Sequence, residues 1–138
     1  MPPRLTLNLS QRSAPLNDDR AFARAYVDEV MKTHLPQDYW SLSPEGRIEM
    51  TMNGRRYARH FGIRDVPSQM LFITLMWEVG ANFFMFSGFK EIAVSAVEGP
   101  AKIDAFFEVE SDLAAEAIMN ADPRYWYPEM AGITGLNG

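Results

Sequence analysis

The stretch Met70-Leu71-Phe72-Ile73-Thr74-Leu75-Met76-Trp77 holds one hydroxyl and no charge. A helix that is apolar on every side has no face to offer to water, so it must lie inside a fold. Asp65-Val66-Pro67 ahead of it supplies a capping carboxylate and a proline at the first helical positions, and Gly80 supplies a stop. Residues 70–79 are therefore expected at the centre of the molecule, with Leu75 and Trp77 close to fully buried. The apolar region runs on to Phe89, but Glu78, Gly80, Asn82 and Gly88 interrupt it. It reads as a core element rather than a membrane span.

The rest of the chain supplies helices to wrap around this element. Asn17 or Asp18 can cap a first helix whose Phe22, Tyr26, Val27 and Val30 share one face, and Pro36 ends it. Ser43-Pro44-Glu45 starts a second that runs to about Phe61, where Gly62 allows a left-handed stop. Gly54 inside it predicts a kink or a close helix approach. Gly88 to Val97 can form a short helix, and Gly99-Pro100 opens a long one in which Ile103, Phe106, Phe107, Leu113, Ala114, Ala117 and Ile118 keep helical period to about Met119. The expected fold is all-α, a single-domain bundle of four to five helices (1–138). It divides into an extended arm (1–16), a helical core (17–120) and a C-terminal turn and tail (121–138). Leu5, Leu7 and Leu9 alternate like a short strand, which can dock loosely or add to another sheet edge.

Composition narrows the chemistry. The chain of 138 residues has no Cys, which removes disulfides, thiolate metal sites and cysteine nucleophiles. Its two histidines, His34 and His60, form no zinc-binding helical pair, and the absence of His after His60 removes a globin-type haem ligand. No phosphate-binding glycine loop or nucleophile elbow occurs. Glu108, Asp112 and Glu116 stand four apart, as in carboxylate metal sites, but they equally describe a solvated acidic helix face. The sequence thus names no catalytic residue, metal ligand or cofactor. Net charge is −5, divided as +3 over residues 1–64 and −8 over residues 65–138. The acidic total disfavours nucleic acid, while the asymmetry favours attraction between copies or partners. No apolar stretch of signal-peptide length follows Met1, so a cytoplasmic location is expected.

Two constellations are candidates for binding. Arg55, Arg56, Arg59, His60 and Arg64 place cations at four-residue spacing on the second helix and just beyond it, with Arg47 two turns earlier. They can hold an acidic partner, or they can pair with the acidic half of the same chain. Phe83, Phe84, Phe86 and Phe89, with Met85 among them, crowd the connector after the central helix. They can plug the core, line an apolar pocket together with Trp77, or present a contact surface. At least two are expected to pack beneath the central helix. Tyr125-Trp126-Tyr127 is a third cluster, in which Trp126 serves either as an interface anchor or as a lock for the chain end.

The segment Arg59-His60-Phe61-Gly62-Ile63-Arg64-Asp65, followed by Leu75-Met76-Trp77-Glu78-Val79-Gly80-Ala81-Asn82-Phe83, resembles small helical bacterial proteins encoded beside type VI secretion effectors. The resemblance spans roughly residues 20–90 and implies a binding role, as effector accessory, adaptor or immunity protein. The expected function is a non-enzymatic protein-binding module whose partner is another protein, acidic or a secretion effector, with self-association open. The alternative is a binder of a lipid-like or acyl anion in an apolar pocket.

Overall fold

The computed structural model describes residues 16–136, and the Leu5–Leu9 alternation lies outside them. Among the described residues the secondary structure is helical throughout, so the all-α expectation holds. The central helix is α5 (Val66–Glu78), capped as expected by the Asp65 carboxylate, which accepts from Ser68 N at 3.1 Å. Every residue from Ser68 to Met76 is buried. Its polar members are matched: Thr74 meets the Tyr26 hydroxyl at 2.8 Å, and Gln69 donates to Ile63 O at 3.0 Å. Leu75 is fully buried, but Trp77 is only half-buried, because the helix emerges there and Trp126 covers just one side of the ring.

α1 (Asp19–Ala25) is capped by Asp18 and continues through a π-helical turn (Tyr26–Met31) into α2 (Lys32–His34), with the anticipated apolar face buried. Pro36 does end this run, but it also opens α3 (Pro36–Ser41), which the sequence reading lacks; a proline that stops one helix is equally suited to begin the next. α4 (Pro44–His60) is capped by the Ser43 hydroxyl and stops at Gly62, whose φ is +80°. At Gly54 it crosses α5 so closely that an added Cβ would lie 2.8 Å from Ile73 Cγ1.

Beyond α5, a 3-10 turn (Phe83–Met85) leads into α6 (Phe89–Ala93), shorter than expected. The expected long final helix is broken into α7 (Gly99–Phe107) and α8 (Ser111–Met119), which with α2 and α3 raises the count from four or five helices to eight α-helical segments among the described residues. Packing explains the break. The turn between them folds Val109 and Leu113 against Gly88, where an added Cβ would come within 3.1 and 2.8 Å of them. The last helical element among the described residues is a 3-10 turn (Pro123–Trp126), at the expected C-terminal turn.

Lys102 on α7 is 1% exposed, yet it makes no ion pair among the described residues. Its ammonium donates to Phe61 O at 2.6 Å, Ala93 O at 2.8 Å and Ser95 O at 3.0 Å, tying together the ends of α4 and α6. Two substitutions test this packing. Gly54→Ala gains about 1 kcal/mol of helix propensity but forces Ile73 aside, and overpacking at about 1–3 kcal/mol outweighs the gain. Urea denaturation should therefore find the variant less stable; a more stable one would disprove the close approach. Lys102→Met strands three carbonyls, at about 1–3 kcal/mol for each one left dry. An unchanged denaturation midpoint would show that the clamp does not hold the helix ends together.

Candidate binding surfaces

The cation cluster divides in the folded chain. Arg55 is 4% exposed and points inward from α4. Its Nε donates to Gln69 Oε1 at 2.8 Å, its two terminal nitrogens reach Asp19 Oδ1 at 3.0 Å and Leu16 O at 2.7 Å, and the guanidinium lies 4.1 Å from the Phe22 ring centre. Burial pulls its pKa down from the usual value, Arg59 adds to the shift, and Asp19 opposes it. Arg59 shares the same Asp19 oxygen at 2.9 Å, and Arg56 meets Glu129 at 3.4 Å. Arg47 is buried against the Tyr39 ring, 3.7 Å from its centre. These four arginines therefore serve contacts within the chain, the first three with acids of the same chain. His60 and Arg64 are exposed, and neither makes an ion pair among the described residues.

His60 and Arg64 flank a groove at the end of α4. Two adjoining hollows, about 350 and 190 Å³, share Phe61, Gly62 and Ser95. Val94 and Val97 line them and are 70% and 45% exposed, the exposed Glu98 lies beside Val97, and Lys102 closes the floor with its three donors committed to carbonyls. Burial lowers the Lys102 pKa by desolvation. The sequence reading passed over Lys102, although it shares a helical stripe with Gly99, Ile103 and Phe106, all buried.

The aromatic connector is largely core. Phe83, Phe84 and Phe89 are buried, and Phe83 sits 5.1 to 5.4 Å from the rings of Phe72, Phe106 and Phe89. Phe84 packs on Tyr57 at 4.8 Å and Phe61 at 5.0 Å. Only Phe86 among the four reaches the surface, where it and the exposed Met85 join Ser87, Leu113 and Glu116 around a hollow of about 270 Å³. Trp77 lies elsewhere, its ring 4.3 Å from that of Trp126.

Trp126 is 3% exposed and fastens the chain end: Asn53 donates to its carbonyl at 2.9 Å, and the Tyr57 hydroxyl donates to Tyr125 O at 2.7 Å. Of the two roles the sequence leaves open for it, the lock is the one its burial allows.

Beside the Met85 hollow the turn at residues 108–112 and helix α8 expose Glu108, Glu110, Asp112 and Glu116. None of these carboxylates makes an ion pair among the described residues. Met119, 83% exposed, lies on the same helix. Arg47, Arg55 and Lys102 are thus buried, while this acidic, methionine-bearing face stays open. Among the described residues no three His, Asp or Glu side chains gather as a metal site, and no helix is long and apolar enough to cross a membrane. No protein-family model, curated protein or solved structure matches the chain.

The division of the arginines is testable. Arg55→Ala leaves Asp19 and Gln69 without their partner and should lower stability by about 3–5 kcal/mol, as breaking a buried pair does. Arg64→Glu should change it by no more than about 0.5 kcal/mol. Equal effects in thermal or urea denaturation would refute the distinction.

Proposed function

We propose that the chain is a non-enzymatic protein-binding module whose principal docking face is the acidic surface around Met85, Phe86 and Leu113. The supporting observation is the adjacency of a hollow holding Met85, Phe86 and Leu113 to four exposed carboxylates that make no ion pair among the described residues. Apolar contact gives such a surface its affinity, and flexible methionines let it adapt to a partner. The carboxylates select a cationic partner and speed its approach. A cationic amphipathic segment is therefore a better fit to this face than an acidic one, since Arg55, Arg56 and Arg59 already have acids of their own chain. The likeness of residues 59–65 and 75–83 to proteins encoded beside secretion effectors supports an accessory, adaptor or immunity role, in a cytoplasmic setting. A lipid-like or acyl ligand has less behind it, because Phe83, Phe84 and Phe89 occupy the core themselves.

A fluorescently labelled amphipathic Lys/Leu helix serves as probe. Anisotropy should show salt-sensitive binding that weakens about tenfold or more in Asp112→Lys/Glu116→Lys, and similarly in Met85→Gln/Leu113→Gln. Equal binding by these variants, or by a Lys/Ser peptide of the same charge, would leave only unspecific attraction and overturn the proposal.

A further inference from the structure

The two surface grooves lie at opposite ends of one helix pair. Ser87, just before α6, lines the hollow beside the acidic face, while Ala93 and Val94 at the far end of α6 line the groove flanked by His60 and Arg64. α7 returns between the same two places. Lys102 near its start floors the cationic groove, and Val109 just past its end packs against Gly88. Nine residues of α7 separate the surfaces by roughly 13 Å. One end presents exposed valines beside Arg64, Lys102 and a single carboxylate, Glu98, and the other presents Met85 beside four carboxylates that make no ion pair among the described residues.

We infer that the partner of the acidic face is a second copy of this chain, joined head to tail: the turn at residues 108–112 of one copy seats in the groove between Arg64 and Val94 of the next. The inference rests on the docking face assigned above and names its occupant. Charge complementarity carries it: Arg64 and Lys102 outweigh Glu98 in the groove's lining and draw in Glu108, Glu110 and Asp112, while Val94 and Val97 gain apolar cover. The two patches differ, so the contact is heterologous. Each copy that joins leaves one end open, and assembly grows as an open chain or closes into a ring. Lys102 stays committed to its three carbonyls and holds the groove in shape.

Sedimentation of the full chain tests this. The weight-average mass should rise with concentration and fall with added salt, since exposed charges are screened beyond about 8 Å at physiological ionic strength. Arg64→Glu alone and Glu110→Arg alone should each stay monomeric. Mixed, they should associate again, because the first keeps its acidic turn and the second its cationic groove, and the two reversed surfaces are once more of opposite charge. A monomeric wild type at every concentration, or a monomeric mixture, would overturn the inference. If the Lys/Leu helix still binds that monomer, only self-association falls; if it does not, the docking face falls as well.

Discussion

A single ammonium sets much of the geometry in this fold. Lys102 lies among apolar neighbours on α7 and makes no ion pair among the described residues, an arrangement that desolvation alone would forbid. It is tolerated because three carbonyls accept all three of its protons, two of them at the C-terminal ends of helices. Helix C-termini carry unsatisfied oxygens and a partial negative charge, so one cation there satisfies acceptors and dipoles at once. Joining α4, α6 and α7 at one atom also fixes where the Phe61–Gly62 turn meets the loop after Ala93. That junction is the cationic groove.

The placement of charge follows from the same economy of contacts. α4 must cross α5 closely at Gly54, which turns Arg55 toward the interior rather than to solvent. Once there, it needs several acceptors, and Gln69, Asp19 and the Leu16 carbonyl provide them. Asp19 then draws in Arg59 as well. Glu108, Glu110, Asp112 and Glu116 meet no comparable demand, because α8 buries only Ala114 and Ala117 and these carboxylates stay exposed. The surface is thus more acidic toward a partner than the run of arginines suggests, and this governs the choice of a cationic occupant.

Much of this was legible in the residues. The unbroken apolar run of α5 could only be internal, and the caps at Asp18, Ser43 and Asp65 stand where their side chains can satisfy free amides. Gly54 announced a close approach, and an added Cβ there would meet Ile73. These features are local, set by spacing along a helix or by one residue beside its neighbours, so the sequence by itself determined them. The break between α7 and α8 and the half-exposure of Trp77 were not legible. The periodicity of residues 103–118 is the same for one helix or two, and the packing of Val109 and Leu113 on Gly88 is set only in the folded chain.

The surfaces were decided by tertiary structure for a related reason. Arg55, Arg59 and Arg64 are equivalent as residue types, yet one is buried, one is paired and one is exposed, because α1 brings Asp19 to the first two and not to the third. Phe86 differs from Phe83, Phe84 and Phe89 only in the direction that the backbone turns at each position. Sequence determined which residues must be buried and where helices begin, since those depend on solvation and on neighbours along the chain. Which charges and rings remain free to meet another molecule depends on contacts across the fold, and only the folded chain brings those together.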